Sequence, residues 1–263
     1  MSWVVRLAIG GIMVLFSLFS YYGKSSVNPI TGEKQRISIS KEEEVAMGLQ
    51  SAPGMAREFG GQHRDPRVNE LVARIGRKMA ATPIAQKGNY PYKFFALVDP
   101  RTVNAFALPG GPIFITEALL SRLETEGQLA AVLGHELGHV FLRHSAEHMA
   151  KAKLIQGVAG AAAVSGVDPT GGMVANNVAN MVNLKYGRED ELESDHWGVM
   201  LMVQAGYDPR AMIRVMEILE KASGGSRAPQ YMSSHPSPAD RAERLRAIIA
   251  KQFPNGVPGN LIK

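Results

Sequence analysis

Gly134-His135-Glu136-Leu137-Gly138-His139 has the residue types and spacing of the H-E-x-x-H pattern. On a helix, two histidines four positions apart lie about 40° apart around the axis, so both imidazoles can reach one zinc ion. Glu136 sits off that line. It can lie beside the ion without ligating it and take a proton from a water whose pKa zinc lowers to roughly 7. The preceding run Leu129-Ala130-Ala131-Val132-Leu133 predicts a buried helix, where an unpaired His or Glu is costly. Gly134 and Gly138 each cost about 1 kcal/mol relative to Ala inside a helix, which implies that another backbone approaches closely there. The chain has no cysteine, which removes disulfides, thiolate ligands and a cysteine nucleophile together.

A zinc protease needs a third protein ligand. The extended histidine pattern of metzincins is absent, which points to a glutamate from another helix. The acidic stretch Arg188 to Asp195, R-E-D-E-L-E-S-D, is the source. With Glu191 set at zero degrees, Leu192, Asp195, Val199, Met202 and Val203 fall within about 120° on one side, whereas Glu189 and Glu193 project outside that arc. Glu191 and Asp195 therefore share an apolar, inward stripe where carboxylates need a metal or a hydrogen-bond partner. We assign Glu191 as the third ligand and Asp195 as the acceptor for a ligand imidazole N–H. Four other histidines compete. His144 and His148 are expected on the same long helix as the first pair, with His144 half a turn away from His135, and so on a solvated face. His63 lies in a polar loop, and His196 beside Trp197 reads as packed or exposed.

The elements that must position these residues are mostly helical. Ser40 with Glu43 forms a capping-box pattern, and Asp65-Pro66 opens a second helix carrying Val68, Leu71, Val72, Ile75 and Met79. Short strands are expected between Tyr92 and Asp99, at Ala105 to Ala107 and at Pro112 to Thr116, around the Gly110-Gly111 turn. From Thr125 onward the pattern is helical, so the fold class is α+β with helices dominant. Trp3 to Tyr22 is a twenty-residue run with the single charge Arg6, long enough to span a bilayer. Bulky Tyr21 and Tyr22 stand where a signal peptide would have a small-residue cleavage site, which favours an uncleaved anchor over a signal segment for residues 1–23. Arg6 and the amino terminus argue for N-inside, while Lys24, Lys34 and Arg36 pull the other way. Residues 24–37 read as a polar linker, 38–252 as the catalytic domain and 253–263 as a tail. Leu154 to Val167 is apolar but short for a membrane span, which suggests a packed helix or a lid hinged at Gly171-Gly172. The net charge of +5 is spread over scattered basic residues, so nucleic acid is not an expected partner.

His135 to His139, followed by Glu191-x-x-x-Asp195 inside Tyr186-Gly187-Arg188-x-x-Glu191-x-Glu193-Ser194-Asp195, resembles the HtpX, CAAX prenyl protease and BepA/LoiP-type family of membrane-associated gluzincins. Val103 to Gly111, Asn28-Pro29-x-Thr31-Gly32, and His235-Pro236 with Arg241 agree with it, over about residues 28 to 250. Gly187 stands where many members have Ser, and the 263 residues hold no tetratricopeptide repeats. The resemblance implies a zincin-like domain with a small sheet beside the metal helix and one Zn2+ per chain. It also implies polypeptide substrates, namely misfolded or misassembled proteins of a bacterial envelope, met by a catalytic domain held on the periplasmic side of the inner membrane. By the same resemblance His235 would stabilise an oxyanion or cap the zinc at rest. Its residues alone read equally as a loop histidine before the helix start at Ser237-Pro238-x-Asp240. Asn104 and Ala105 would offer strand backbone and amide contacts to an extended substrate, and Arg241 would tether the His235 loop by an ion pair. A competing reading is a membrane-tethered holdase whose zinc is kept closed by His235.

Overall fold

The computed structural model describes residues 2–165, 186–223, 230–235 and 240–263. Its centre is helix α6, Glu126–Phe141, capped by Thr125, whose Oγ1 accepts from Gln128 N at 3.2 Å. Every residue of α6 from Gly127 to Phe141 is buried, as its near-continuous apolar sequence requires. In chain order the elements before it are α1 (Trp3–Tyr22), β1 (Ser26–Val27), β2 (Lys34–Gln35), α2 (Lys41–Glu58), α3 (Pro66–Ala80), α4 (Pro83–Gly88), β3 (Lys93–Leu97), β4 (Ala105–Ala107), β5 (Pro112–Thr116) and α5 (Glu117–Leu120). After it come α7 (His144–Ser165), α8 (Arg188–Gln204), α9 (Arg210–Ser223), α10 (Gln230–Ser234) and α11 (Arg241–Gln252). The chain is thus α+β and mostly helical. The capping box at Ser40 and the Asp65 cap with Pro66 in the first turn both form.

Strands β3, β5 and β4 make a sheet in that order, with β3 parallel and β4 antiparallel to the central β5. Because side chains alternate along β5, Ile113 and Ile115 enter the main core with Val72, Ile75 and Met79 of α3. Phe114 instead joins Phe106 of β4 and Met55 of α2 on the other face. The sheet is therefore covered on both sides, and β4 is left as an edge strand beside α6.

Helix α8 packs along α6 at the two glycines that its sequence singled out. A Cβ on Gly138 would overlap Ser194 Oγ and lie 3.1 Å from Ser194 Cα, and one on Gly134 would lie 3.4 Å from Gly198 O. At Gly138 a side chain would collide with Ser194, so glycine there is what brings the α8 carboxylates to the α6 histidines. The α8 N-terminus is closed by Asp190, whose Oδ2 accepts from Gly187 N at 2.7 Å.

Two expectations are corrected. The helix of His135 does not continue through His144: it ends at Phe141 with Leu142 as its C-cap, and Arg143 takes φ 62° before α7 begins. That left-handed residue is held by Glu44, which accepts from Arg143 Nε at 2.7 Å, and by Ile39 O, 3.2 Å from Nη2. The polar stretch 24–37 carries the β1–β2 hairpin and docks on the α6 C-terminus. Buried Asn28 donates to Phe141 O at 2.9 Å and Gln35 donates to Leu142 O, so this stretch satisfies helix-end carbonyls that would otherwise be orphaned.

Helix α1 lies antiparallel on α7 through small residues. Gly10 faces Ala161 and Ser165, Gly157 faces Ser17, and Arg6 Nε donates to Val164 O at 2.8 Å. Among the described residues it is the one helix long and apolar enough to cross a membrane, and Trp3, Ile12, Leu15, Phe16 and Phe19 face outward from it. The tail 253–263 folds back: Asp208 N donates to Ile262 O and Ile262 N to Gly206 O. The Gly171-Gly172 hinge, the end of the 154–167 stretch and Pro236 to Pro238 lie outside the described residues.

Candidate metal centre

Helix α6 contributes His135, Glu136 and His139, α8 contributes Glu191, and the residue after α10 is His235. All five are buried. One ligand atom from each of His135, His139, Glu191 and His235 can be chosen so that all four lie within 4.8 Å of one another. The Nε2 atoms of His135 and His139 are 3.0 Å apart, and both are 3.4 Å from the Glu191 carboxylate. His235 Nδ1 stands 2.9 Å from Glu191 Oε1 and 3.3 Å from His135 Nε2.

Proton positions follow from the surroundings. His135 Nδ1 lies 3.0 Å from Asp195 Oδ1, and because a carboxylate only accepts, Nδ1 carries a hydrogen and Nε2 is the nitrogen left to face a metal. Two imidazole nitrogens and a carboxylate facing one point need a cation between them. Nitrogen and oxygen donors in this number suit a divalent metal of intermediate softness. Burial alone would depress the His135 pKa, but the carboxylates of Glu191 and Asp195 outweigh it and push the metal-free imidazole up to about 9. For His139 burial wins, and its pKa falls well below the ordinary value.

Arg241 secures the carboxylates from behind. Burial would raise Asp195, but the guanidinium holds its pKa below the usual value, with Nε to Oδ2 at 2.6 Å and Nη2 to Oδ1 at 2.8 Å. Nη1 also reaches Glu191 Oε2 at 2.9 Å. Arg241 opens α11, so its ion pairs tie the chain just beyond His235 to α8. For Glu191, burial is outweighed by the facing His235 and His135 imidazoles, and its pKa falls well below the ordinary value.

Glu136 differs from every other carboxylate here. Neither of its oxygens has a hydrogen-bond partner, Oε1 lies 3.6 Å from His235 Nε2, and burial raises its pKa. Such a group is available to take up a proton.

Asn104 and Ala105 are buried at the start of β4. The backbone contact expected of Asn104 is already used, because its O accepts from Thr116 N at 3.0 Å and its N donates to Thr116 Oγ1 at 3.1 Å. Its carboxamide is the free part: neither Oδ1 nor Nδ2 has a partner. One residue upstream, Val103 O accepts from Tyr231 N at 3.2 Å, so α10 is docked on the approach to this edge.

The main surprises are His144 and two tyrosines. His144 is buried rather than solvated, with Nδ1 2.8 Å from His139 Nδ1. His148 is partly buried and pairs with Asp190 Oδ2 at 2.8 Å. Tyr186 stacks on His139 at 3.8 Å between ring centroids, and Tyr231 stacks on His235 at 4.4 Å. The five-residue separation of His139 and His144 carried no usable signal, because nothing at Leu142-Arg143 announces a helix break. His63 and His196 stay outside the centre: one faces Glu117 at 3.8 Å, and the other packs edge-on against Trp197.

A buried helix carrying His-Glu-x-x-His, crossed by a second that presents a glutamate, defines a metallopeptidase. The model of peptidase family M48 matches residues 66–249. The chain is 30% identical over 249 residues to the mitochondrial metalloendopeptidase OMA1 of Schizosaccharomyces pombe, covering 93% of this chain and 71% of that protein. It is 29% identical over 204 residues to the beta-barrel assembly-enhancing protease of Escherichia coli strain K12, covering 71% and 41%. The corresponding protease of Yersinia pestis is 28% identical over 240 residues, covering 86% and 48%. The chain thus spans less than half the length of these two bacterial relatives. It belongs to peptidase family M48 and is a metalloendopeptidase.

Proposed function

We propose that this chain is a zinc endopeptidase in which His135, His139 and Glu191 hold the metal and Glu136 is the general base. The observation that carries this reading is the unpartnered Glu136 carboxylate beside two converging imidazoles and Glu191. Held by these three residues, zinc would supply a Lewis acid for the scissile carbonyl and would lower the pKa of a nearby water. Glu136 takes the proton of that water and later passes it to the leaving amine, and its burial-raised pKa suits both transfers. Asp195 fixes the His135 tautomer, and Arg241 keeps Asp195 and Glu191 charged and oriented.

His235 occupies the fourth direction of the cluster, so the arrangement is a resting one. Helix α10 is clamped by Tyr231 N to Val103 O and by Tyr186 N to Ser234 O at 3.0 Å. Displacing it would free a coordination position and uncover the β4 edge. An extended peptide could then pair there, with the Asn104 carboxamide and Ala105 lining its path. Once displaced, His235 could stabilise the developing oxyanion. We infer polypeptide substrates, unfolded or misassembled proteins of the bacterial envelope, with α1 as an inner-membrane anchor and the catalytic domain on the periplasmic side. The bacterial relatives named for β-barrel assembly support this substrate class, and the length and composition of α1 support the anchor. Latency imposed by His235 is also what a chaperone-like tether would need, and the same experiment separates the two.

The test compares digestion of an unfolded protein by the detergent-solubilised chain and by Glu136→Gln at matched zinc content. Removing the base is expected to lower cleavage at least about 100-fold. Equal cleavage by both would exclude Glu136 as the base. No cleavage by either, with zinc bound in both and in His235→Ala, would favour the tether.

A further inference from the structure

Building on the zinc reading, we infer that His144 and Glu193 form a relay that orients His139, a positioning device separate from the Asp195–Arg241 pair that orients His135. His139 Nε2 faces the cluster, 3.0 Å from His135 Nε2 and 3.4 Å from Glu191 Oε1, so Nδ1 is its outer nitrogen. That Nδ1 is 2.8 Å from His144 Nδ1, and one of the two must be the donor. A metal-binding Nε2 is bare, so His139 carries its hydrogen on Nδ1 and donates it. His144 Nδ1 must then be the bare acceptor, with its own hydrogen on Nε2. His144 Nε2 points to an acceptor, Glu193 Oε2, at 3.2 Å. Every polar atom in the line Glu193–His144–His139 is thereby assigned one role, and the line ends at His139 Nε2, facing His135 and Glu191. Asp190 also faces His144, but its Oδ1 is farther at 4.0 Å, and its carboxylate is held through Oδ2 by His148 and Gly187.

The geometry is built, not incidental. His144 is buried, whereas Glu193 is about one-third exposed, so the relay runs from solvent to the centre. It exists because Arg143 at φ 62° ends α6 and turns residue 144 back towards residue 139, which an unbroken helix would not do. Tyr186, stacked on His139, donates to or accepts from Ser145 Oγ at 3.0 Å, so the residues after the break also limit rotation of the ligand ring. Without an acceptor at 144, the His139 Nδ1–H would be buried unpaired, or its hydrogen would move to Nε2 and face the metal.

The experiment measures Zn2+ affinity of the detergent-solubilised full chain by chelator competition, together with the Co2+ absorption spectrum as a report on ligand geometry. His144→Leu and His144→Asn are nearly equal in shape and differ in whether an acceptor stands near the old Nδ1 position. The Leu form is expected to bind Zn2+ about 10–100-fold more weakly with an altered Co2+ spectrum, and the Asn form to recover most of that loss. Equal affinities for the two variants, or a Leu form matching the parent, would overturn the relay. If His144→Leu does not fold, Glu193→Ala at its partly exposed site carries the test. Weaker Zn2+ binding at unchanged metal-free stability is expected, and unchanged affinity overturns the relay. A parent chain that binds no Zn2+ would instead defeat the zinc reading itself.

Discussion

The α6–α8 crossing and the α1–α7 pair use the same device, small residues that let two helices approach, in opposite surroundings. At the crossing, Gly134 and Gly138 meet Gly198 and Ser194, and the space enclosed is filled by a fully buried set of imidazoles, carboxylates and one guanidinium. In the α1–α7 pair, Gly10 and Gly157 meet Ser165 and Ser17, large apolar side chains face outward, and a cavity of about 380 Å³ opens beside Phe16, Tyr21 and Leu154. Close approach therefore does not define a site. What matters is whether the apposed faces carry charge that only a buried, mutually paired arrangement can hold.

The sharpest way to break that comparison is to remove charge from each region in turn. Arg241→Leu leaves Asp195 and Glu191 buried without their cation and is expected to cost about 3–5 kcal/mol of metal-free stability, read by urea unfolding. A loss under about 1 kcal/mol would mean that the cluster is not held by that pairing. Next in size is the packing itself. Gly138→Ala forces a Cβ against the Ser194 side chain and backbone and should cost about 1–3 kcal/mol, with reduced metal occupancy. Gly157→Ala meets Ser17, including its Cβ at 2.9 Å, so it should push α1 away from α7 while the unfolding midpoint of the catalytic core stays put. Equal losses at the two glycines would erase the distinction.

Acid sharpens the contrast further. Because Arg241 holds the folded Asp195 below its ordinary pKa, the stabilisation from this pair is complete above about pH 4 and is lost as pH falls through the lower folded value. Metal-free Asp195→Asn should lack that part of the acid dependence, and an unchanged slope would assign it elsewhere. The smallest effect is expected in the helix pair. Arg6→Leu removes one bond to Val164 O, worth about 1 kcal/mol or less, and should leave peptide cleavage and core unfolding unchanged. Loss of cleavage in this variant would reveal that α1 and α7 act on the metal centre.

How much of this was legible in the chain differs from residue to residue. The helical period alone put His135 and His139 on one line and Glu191 with Asp195 on one inward stripe, because each pair lies within a single helix and needs only local geometry. Capping at Ser40 and at Asp65-Pro66 is local in the same sense. The two glycines of α6 announced a close neighbour but not which one. Asn104 was legible as a strand residue, yet only the fold shows that Thr116 consumes its backbone and leaves the carboxamide free.

The sequence by itself therefore determined the helices, the candidate metal residues they carry and the faces on which those residues lie. The tertiary structure decided where one helix stops, which swings His144 onto His139, and what meets across gaps of 40 or more positions: Arg143 turned by Glu44, Arg241 set behind Asp195 and Glu191, and His235 placed over the cluster. Those choices depend on buried charges finding partners from distant segments, and no local periodicity encodes that balance.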